Sequence, residues 1–402
     1  MATVVLVGTL DTKGIEYAFL RERLLERGVD VVVVDAGVNA PVGLEADVSR
    51  DEVARAAGAD PAALAAAGDR GAAVTTMGAG AEAIVLALHA AGRLDGILAL
   101  GGSGGSSIAA RAMRALPVGV PKLLVSTVAS GDTRPYVGAV DVTMMYSVVD
   151  IAGVNRVSAR IMANAAGAIA GMVGATVPTL DEKPLIGATM FGVTTPCVTT
   201  ARARLEELGY EVLVFHATGA GGQSMEALAR GGFLVGVLDA TTTELADELV
   251  GGVLSAGPDR LEAAGAAGLP QVVSLGALDM VNFGPRETVP PAFEGRNLYV
   301  HNPTVTLMRT TAAECGELGR TIGRKVSAAT GPTAVFVPLG GVSMIDVPGQ
   351  PFHDPDADAA LVAGLKETLG DTELHELPEN INDPAFATAM ADRLHELIQE
   401  AS

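Results

Sequence analysis

The sequence contains no tryptophan, and aromatic residues make up only 3% of its 402 residues. Proteins that bind single-stranded nucleic acids stack the bases on aromatic side chains, so this composition disfavours such a function. Basic residues are also scarce, because 27 lysines and arginines stand against 47 aspartates and glutamates and give a formal net charge of −20. A basic surface for DNA, RNA or anionic lipid is therefore missing, and we expect neither a nucleic-acid nor a membrane partner.

Cysteine is nearly absent. The sequence has two, Cys197 and Cys315, which are too few for a disulfide framework and lack the spacing of a metal-binding pair. The first residues lead directly into a predicted strand, so no secretory leader is recognisable. A stretch of small apolar residues at about 161–177 contains Asn164, which favours a buried helix over a membrane span. We therefore expect a cytoplasmic location.

Hydrophobic residues, in contrast, account for 49% of the chain, and there are 49 glycines. Runs of apolar residues recur, each followed by a glycine-containing turn or a helical pattern. Four branched residues in succession, as at Val31–Val34, indicate a strand that is buried on both faces of a parallel sheet. A helix is expected at about 15–27, and the other strands predicted in the first half are Thr3–Gly8, Val74–Met77, Gly96–Leu100 and Lys122–Val128.

The same pattern begins again after Val177–Pro184, which is a predicted linker. The strand Leu185–Met190, a turn, a helix and the strand Val212–Phe215 repeat the plan of the N-terminus. The sequence therefore predicts an α/β fold of two Rossmann-like subdomains, at 1–177 and 184–402, with mostly parallel sheets flanked by helices. In such pairs a ligand usually binds in the cleft beyond the carboxyl ends of the strands.

The segment Gly101–Ser107 is the main candidate for a binding loop, because it joins a predicted strand to a predicted helix. Four glycines in its first five positions allow close approach of the backbone to an anion, and the N–H groups of a helix N-terminus attract phosphate. Ser103, Ser106 and Ser107 add hydroxyl donors. A tight turn without a ligand stays open, and the G-x-S-x-G spacing also allows a hydrolase nucleophile at Ser103.

Two further glycine segments extend this prediction. Gly8–Gly14 carries Lys13, which could neutralise phosphate, and Asp11, which could hold Mg²⁺; a capped helix with an exposed lysine is the alternative. Gly78-Ala-Gly80 nominally fits a dinucleotide fingerprint, but no acidic residue follows the next strand to hold a ribose. The residues predicted to contact the nucleotide are Gly8, Thr9, Asp11, Thr12, Gly14, Gly78, Gly80, Gly101, Gly102, Ser103, Gly104, Gly105, Ser106 and Ser107.

In the second half, Asn302 followed by Pro303 predicts the end of a strand and the start of a helix, with Asn302 as the N-cap. Thr306 and Arg309 would share a face of that helix. Together with Asn302 they could contact an anionic substrate, and the alternative for Arg309 is a structural ion pair.

Two more segments of the second half are candidates. Gly340 and Gly341 form a glycine turn after a predicted strand and are assigned to substrate binding. His353 is a candidate general acid or base. The neighbouring Asp354 is predicted to cap a helix whose first residue is Pro355.

Taken together, the motifs resemble those of a known family. They are Val7–Gly14, Gly101–Ser106, Gly131–Asp141, Ser147–Asn155, His301–Pro303 and Gly340–Pro355. The sequence resembles the uncharacterised bacterial family related to the N-terminal ATP-binding domain of the tomato mosaic virus resistance protein, over essentially the whole chain. The resemblance implies two Rossmann-like subdomains, binding of ATP and Mg²⁺, and a homodimer. In the plant protein a domain resembling a TIM barrel follows, so a separate TIM-barrel partner protein is expected here if one is needed.

Two classes of function follow from these observations. The first is an ATP- and Mg²⁺-dependent enzyme that acts on a small carboxylate substrate in the interdomain cleft, with Lys13, Arg309 and His353 as catalytic candidates and Asp11 as the metal ligand. The second is a nucleotide-binding regulatory or interaction module without turnover. Serine hydrolysis at Ser103 is a third possibility. The candidates in the second half favour the enzyme, because a sensor needs no second small-ligand site.

Overall fold

A computed structural model describes residues 1–176 and 183–401 of the chain. The chain divides into two compact units, Met1–Thr179 and Leu180–Ser402. Most of the predicted linker, residues 177–182, lies outside the described residues. Each unit is built around a parallel sheet of its own.

The first unit contains a five-stranded sheet in the order β2-β1-β3-β4-β5. All neighbouring strands run parallel, with Val4 of β1 opposite both Val31 of β2 and Gly96 of β3. The strands are β1 Thr3–Gly8, β2 Asp30–Asp35, β3 Gly96–Gly101, β4 Lys122–Ser126 and β5 Thr143–Tyr146. The chain order reverses between β1 and β3, and this point is where ligands bind in open α/β sheets.

Helices cover both faces of this sheet, because successive strand residues point to opposite sides. Val4 and Leu6 pack with α1 and α7, whereas Val5 and Val7 pack with α2, α4 and α5. The helices of the first unit are α1 Leu10–Leu25, α2 Arg50–Ala56, α3 Pro61–Ala67, α4 Arg70–Ala90, α5 Ser103–Ala115, α6 Arg134–Val137 and α7 Arg156–Val173.

The second unit contains a six-stranded parallel sheet and a small antiparallel sheet, in the orders β14-β13-β9-β8-β6-β7 and β10-β12-β11. In the large sheet the chain order reverses between β6 and β8, as it does between β1 and β3. The strands are β6 Leu185–Met190, β7 Glu211–His216, β8 Gly236–Thr241, β9 Gln271–Gly276, β10 Met280–Phe283, β11 Leu298–Asn302, β12 Val305–Arg309, β13 Thr333–Pro338 and β14 Glu373–Leu377.

Helices also flank the large sheet. One core contains side chains of α8 and α14, and the opposite face packs against α10, α12 and α13. The helices are α8 Thr195–Glu207, α9 Ala220–Arg230, α10 Glu244–Val250, α11 Ala263–Ala266, α12 Ala312–Ser327, α13 Pro355–Thr368 and α14 Pro384–Ala401. Short 3₁₀ turns occur at Gly192–Thr194, Arg286–Thr288 and Pro291–Phe293. The predicted α/β class, with two parallel-sheet units flanked by helices, is therefore confirmed.

The predicted strand Val74–Met77 is wrong, because these residues belong to α4. Gly78 and Gly80 therefore lie inside a helix and form no nucleotide-binding turn. A Cβ on Gly80 would lie only 1.9 Å from the carbonyl oxygen of Val53, so this glycine allows α2 and α4 to pack closely. Gly78 similarly faces the backbone of Ile108 on α5.

The prediction of a helix that begins at Asn302 is also wrong. Asn302 ends β11, and the chain turns directly into β12, so the segment forms an antiparallel hairpin. The Asn302 side chain caps the turn by accepting hydrogen bonds from the N–H and hydroxyl of Thr304, at 2.9 Å each. Thr306 and Arg309 are strand residues whose positions differ by three, so they point to opposite faces of the small sheet.

Among the described residues, one helix, α4, has the length and apolar composition of a membrane-spanning segment. Its buried residues, which include Met77, Ala81 and Val85, belong to the core of the first unit. A core helix of a globular domain passes the same test of length and composition.

Candidate functional site

A cavity of about 680 Å³ lies at the carboxyl ends of β1 and β3 in the first unit, where the strand order reverses. Its volume is within the range of small-molecule sites. The loops that follow β2, β4 and β5 also reach it, through Asn39, Thr127 and Asp150, and the start of α4 contributes Arg70. Of the predicted nucleotide-contacting residues, it is lined by Thr9, Asp11, Thr12, Gly101, Gly102, Ser103, Gly104 and Gly105, and also by the catalytic candidate Lys13.

The N-terminus of α5 faces this cavity. Gly102 is the N-cap residue, no side chain caps the helix, and the first helical hydrogen bond runs from Ser106 N to Gly102 O at 2.9 Å. The preceding amide groups, of Ser103, Gly104 and Gly105, have no partner within the described chain. A helix N-terminus with free N–H groups attracts negative charge, so this end of α5 is suited to an anion.

Arg70 increases the positive potential at the same place. A Cβ on Gly104 would lie 3.5 Å from Arg70 Nη2, so the guanidinium group lies beside the first turn of α5. Arg70 makes no ion pair with the described residues 1–176 and 183–401. Two positive groups therefore lie together, and neither is paired with a carboxylate, because Asp69, which also lines the cavity, caps α4 by accepting from Ala72 N at 3.0 Å.

The N-terminus of α1 is different, because a carboxylate of the protein already occupies it. Asp35, which ends β2 and is 1% exposed, accepts hydrogen bonds from Leu10 N at 3.1 Å and Gly37 N at 2.9 Å. Burial raises the pKa of this carboxyl, and the two backbone donors act in the opposite direction. The anion position at α1 is therefore filled, whereas the one at α5 is open.

The helix α1 begins at Leu10, several residues earlier than predicted, so Gly14 is a helical residue and not part of a loop. A Cβ on Gly14 would lie 1.8 Å from the carbonyl oxygen of Val42, and one on Gly8 would overlap the ring of Tyr17. Both glycines are required for packing and neither lines the cavity. Their assignment to nucleotide binding is therefore wrong.

Ser106 and Ser107 also lie away from the cavity. Ser106 is fully buried and its hydroxyl pairs with that of Ser126 at 2.7 Å, while Ser107 Oγ donates to Ser103 O at 2.9 Å. The prediction that they contact the nucleotide is corrected, since both hydroxyls serve α5 itself. Ser103 does line the cavity.

One lysine and two carboxylates face the cavity at the start of α1 and after β5. Lys13 Nζ donates a hydrogen bond to Ile151 O. Asp11 Oδ2 accepts from Asn39 N and Asn39 Nδ2, at 3.1 and 3.2 Å, and Asp150 is the second carboxylate. In residues 1–176 and 183–401, no three His, Cys, Asp or Glu side chains form a group that could hold a metal ion.

Magnesium is usually held by one or two carboxylates together with the phosphates of a nucleotide, so a complete protein cage is not required. Asp11 and Asp150 both line the cavity, and a single one of them would suffice for Mg²⁺ that is carried by a nucleotide. They do not fit a metal ion bound by the protein alone.

Part of the cavity lining is apolar. It is formed by Val38, by Leu64 of α3, by Val74 and Met77 of α4 and by Ile108 of α5. The site thus combines a phosphate-attracting end with a wall that suits an uncharged flat group.

The candidates of the second unit separate into several places. Arg309 is 5% exposed, and its Nη2 lies 2.7 Å from Asp358 Oδ1 and 3.3 Å from Asp346 Oδ1. It therefore forms a structural ion pair, which was the alternative to contact with a substrate. Thr306 is fully buried, and its hydroxyl has no hydrogen-bond partner in the described residues. Asn302 is exposed at the tip of the hairpin. The prediction that Asn302, Thr306 and Arg309 lie together is therefore wrong.

Gly340, Gly341 and His353 line a second cavity, of about 580 Å³, at the carboxyl ends of β9 and β13. The turn at Gly340 and Gly341 is as predicted, and the φ of 120° at Gly341 requires glycine. Asp354 accepts a hydrogen bond from Ala357 N at 3.1 Å, and Pro355 is the first residue of α13, as predicted.

Sequence reasoning did not identify Arg70, Asn39, Thr127 or Asp150. Three of them have a common signal, because Asn39, Thr127 and Asp150 each follow the carboxyl end of a strand. Arg70 had no such signal, because the residues that follow it, Val74–Met77, are predicted to form a strand but belong to α4.

Sequence comparison places the chain among known proteins. Residues 2–178 match the N-terminal domain, and residues 183–398 the C-terminal domain, of the uncharacterised protein family UPF0261. The chain belongs to the UPF0261 family. Among its relatives, a UPF0261 protein of Clostridium tetani is 54% identical over 400 residues, covering 99% of each chain, and one of Mesorhizobium japonicum is 48% identical over 396 residues.

The tomato ToMV resistance protein Tm-1(GCR237) is 41% identical over 415 residues, which cover 97% of this chain and 55% of the plant protein. The relationship inferred from the motifs is thus confirmed at the level of the UPF0261 family. Alignment with the crystal structure of Acinetobacter baumannii MurG covers 100% of this chain and 98% of that one, at 12% identity and a TM-score of 0.22.

Proposed function

We propose that the first unit binds ATP together with Mg²⁺ in the cavity between the ends of β1 and β3. The observation that carries the proposal is the open N-terminus of α5, which faces the cavity beside the unpaired guanidinium group of Arg70. A phosphate chain would neutralise both groups. No other arrangement of the described cavity residues provides a comparable anion site, because Asp35 already fills the N-terminus of α1.

The rest of the cavity supports the same assignment. Lys13 would neutralise phosphate charge, and Asp11 and Asp150 would hold Mg²⁺ that is bridged by phosphate oxygens. The apolar wall that includes Leu64, Met77 and Ile108 would contact the adenine base. We further propose that the bound ATP is used to activate a small carboxylate or to transfer phosphate. Release of ADP or AMP in the presence of Mg²⁺ and a set of carboxylic acids would test that step.

The binding step is tested with Gly104→Val. A Cβ at this position has ordinary contacts of 3.5 Å or more with its neighbours, so the fold is expected to persist. The branched side chain would nevertheless occupy the space next to the free amides and exclude a phosphate group. We expect calorimetry with ATP and Mg²⁺ to detect no binding to the variant. Gly171→Val in α7, where a Cβ meets no atom within 4 Å, is the matched control and should bind ATP normally.

Ser103→Ala separates this proposal from hydrolase chemistry. Loss of one hydroxyl donor should weaken ATP binding by about 1 kcal/mol, and a serine-directed phosphonate should not label the protein. No histidine lines the cavity in the described part of the chain, so Ser103 has no imidazole base there. Labelling of Ser103, or unchanged ATP affinity in Gly104→Val, would contradict the proposal.

A further inference from the structure

The cavity of about 580 Å³ in the second unit is lined by apolar side chains and by carboxylates. Most of its lining is apolar and includes Val337 of β13, Pro348, and Val362 of α13. Two carboxylates, Asp346 and Asp358, also line it. It lies beyond the carboxyl ends of β9 and β13, the edge of the sheet on which α/β proteins bind ligands, but away from the reversal of strand order between β6 and β8.

The carboxylates of this region outnumber the positive charge that pairs with them. Arg309 is the one guanidinium group bonded to Asp346 and Asp358 among the described residues. A third carboxylate, Asp279, is fully buried next to them, and Ser343 Oγ donates to its Oδ2 at 2.8 Å. The other oxygen of Asp279, Oδ1, is buried without a hydrogen-bond partner in the described chain.

The other nitrogen atoms of Arg309 donate to groups other than these carboxylates. Its Nε donates to Phe352 O at 2.7 Å, and its Nη1 donates to Thr310 Oγ1 at 3.0 Å. Buried carboxylates need either a counter-charge or a proton. Burial raises the pKa of Asp346 to about 8 and that of Asp279 to about 6, which agrees with a shortage of positive charge.

Neither of the other basic groups at the cavity is bonded to Asp346 or Asp358 in the described chain, although His353 lies close enough to act on Asp358 through its charge. Lys366 lines the cavity but is bonded to Glu376 at 2.8 Å, and His353 is an exposed side chain. A metal ion is not suited to the site, because the described residues contain no convergent group of three ligands. An anion would be repelled by Asp346 and Asp358.

We propose that this cavity binds an organic cation, an ammonium group attached to an apolar body. The ammonium group would hydrogen-bond to Asp346 and Asp358 and provide the second positive charge of the cluster, in place of the proton that Asp346 otherwise holds. The apolar body would contact Val337, Pro348 and Val362. This site is independent of the nucleotide cavity, since none of its residues belongs to the first unit.

The test uses the full chain and three probes: butylammonium, benzylammonium and choline. Their uncharged counterparts are butanol, benzyl alcohol and 3,3-dimethylbutanol. Binding is measured by calorimetry at pH 7.5 and by the rise in the melting temperature. We expect at least one cation to bind and its uncharged counterpart to bind at least about tenfold more weakly, because the counterpart leaves the carboxylates unpaired.

Two variants and one control locate the binding. Asp358→Asn should weaken binding of the cation at least about tenfold. Asp356→Asn, which removes a carboxylate from the same helix but not from the cavity, should leave it unchanged. Ala359→Leu adds volume at an exposed lining residue without altering any charge, so it should also reduce binding while the fold persists.

The proposal is overturned if none of the cations binds below about 10 mM. It is also overturned if the uncharged counterparts bind equally well, or if Asp358→Asn and Asp356→Asn behave alike.

Discussion

Arg70 is a single residue whose contribution can be separated from that of the helix beside it. Its guanidinium group lies next to Gly104 and has no carboxylate partner in the described chain. If it binds phosphate, Arg70→Ala removes a charge-assisted hydrogen bond worth about 1.5–3 kcal/mol, so we expect ATP affinity to fall about 10- to 100-fold. AMP, which carries fewer phosphates, should lose less.

Arg93→Ala is the control for Arg70→Ala, because Arg93 is also exposed and does not line the cavity. Calorimetry with ATP, ADP and AMP on both variants measures the difference. Equal loss for all three nucleotides would show that Arg70 does not contact the end of the phosphate chain.

Asp346 leads to a prediction on pH and stability. Burial, followed by repulsion from Asp279 and Asp358, raises the pKa of this carboxyl to about 8, whereas an unfolded aspartate titrates near pH 4. The folded protein therefore holds a proton that the unfolded chain releases between these values. The stability contributed by the protonated group is present below about pH 4 and is lost as the pH rises towards about 8.

We expect the free energy of unfolding of the natural protein to decrease, relative to that of Asp346→Asn, between pH 5 and pH 8. The slope for one group is at most about 1.4 kcal/mol per pH unit. Urea unfolding of both proteins at several pH values measures it, and parallel curves would contradict the prediction. The Asn variant keeps an acceptor for the N–H of Val342, which now bonds to Asp346 Oδ2 at 3.0 Å.

The part of the site that could be predicted from the sequence is the glycine-rich segment, because its backbone amide groups are the groups that would bind the ligand. Gly101–Gly105 follows a buried strand and opens a helix, and it does line the cavity. Gly8 and Gly14 could not be distinguished from it, because a glycine needed for packing against Tyr17 or Val42 has the same sequence appearance as one that binds phosphate.

At the scale of elements, the strands with consecutive branched residues were predictable, whereas α4 and the β11–β12 hairpin were not. Val74-Thr-Thr-Met77 has the local composition of a strand, but a 21-residue helix continues through it and packs on α2. Asn302-Pro303 is equally typical of a helix start and of a turn, and the choice depends on pairing of Val300 with Thr306 across the hairpin. Such pairing partners are not visible in the local sequence.

Packing of α4 on α2 can be tested with a matched pair of glycine substitutions. Gly80→Ala would place a Cβ 1.9 Å from Val53 O, so the helices must separate and we expect destabilisation by about 1–3 kcal/mol or more. Gly171→Ala, in α7, meets no atom within 4 Å and should stabilise by about 0.5–1 kcal/mol. Chemical denaturation of both variants measures the difference in sign. A neutral Gly80→Ala would contradict the close contact of α2 and α4.

At the scale of the whole molecule, the two units share a sheet order but use its reversal point differently. In the first unit the N-terminus of α5 is open to a cavity. In the second unit Glu244, which is fully buried, accepts hydrogen bonds from Gly219 N at 2.7 Å and Gly222 N at 3.1 Å, at the start of α9. The same carboxylate bonds to Arg260 Nε at 2.7 Å.

Arg260 is 1% exposed and also pairs with Asp239 and Glu226, so side chains of the second unit fill this region with their own charges. A phosphate group would have to displace Glu244 from the amides of α9 and leave a buried carboxylate and Arg260 without their partner, which is strongly unfavourable. The homodimer and the separate TIM-barrel partner stay predictions.

We therefore expect one ATP per chain, although the sequence predicts two domains of similar plan. Calorimetry of the full chain with ATP and Mg²⁺ should give a stoichiometry of one, and Gly104→Val should remove all measurable binding because the second unit offers no anion site at the reversal of its strand order. Gly192→Val provides the matched control: Gly192 lies in the turn after β6, where a Cβ meets no atom within 4 Å, so this variant should bind ATP as the natural protein does. A stoichiometry of two, or residual ATP binding in Gly104→Val that Gly192→Val loses, would show that the second unit binds nucleotide despite its buried Glu244 and Arg260.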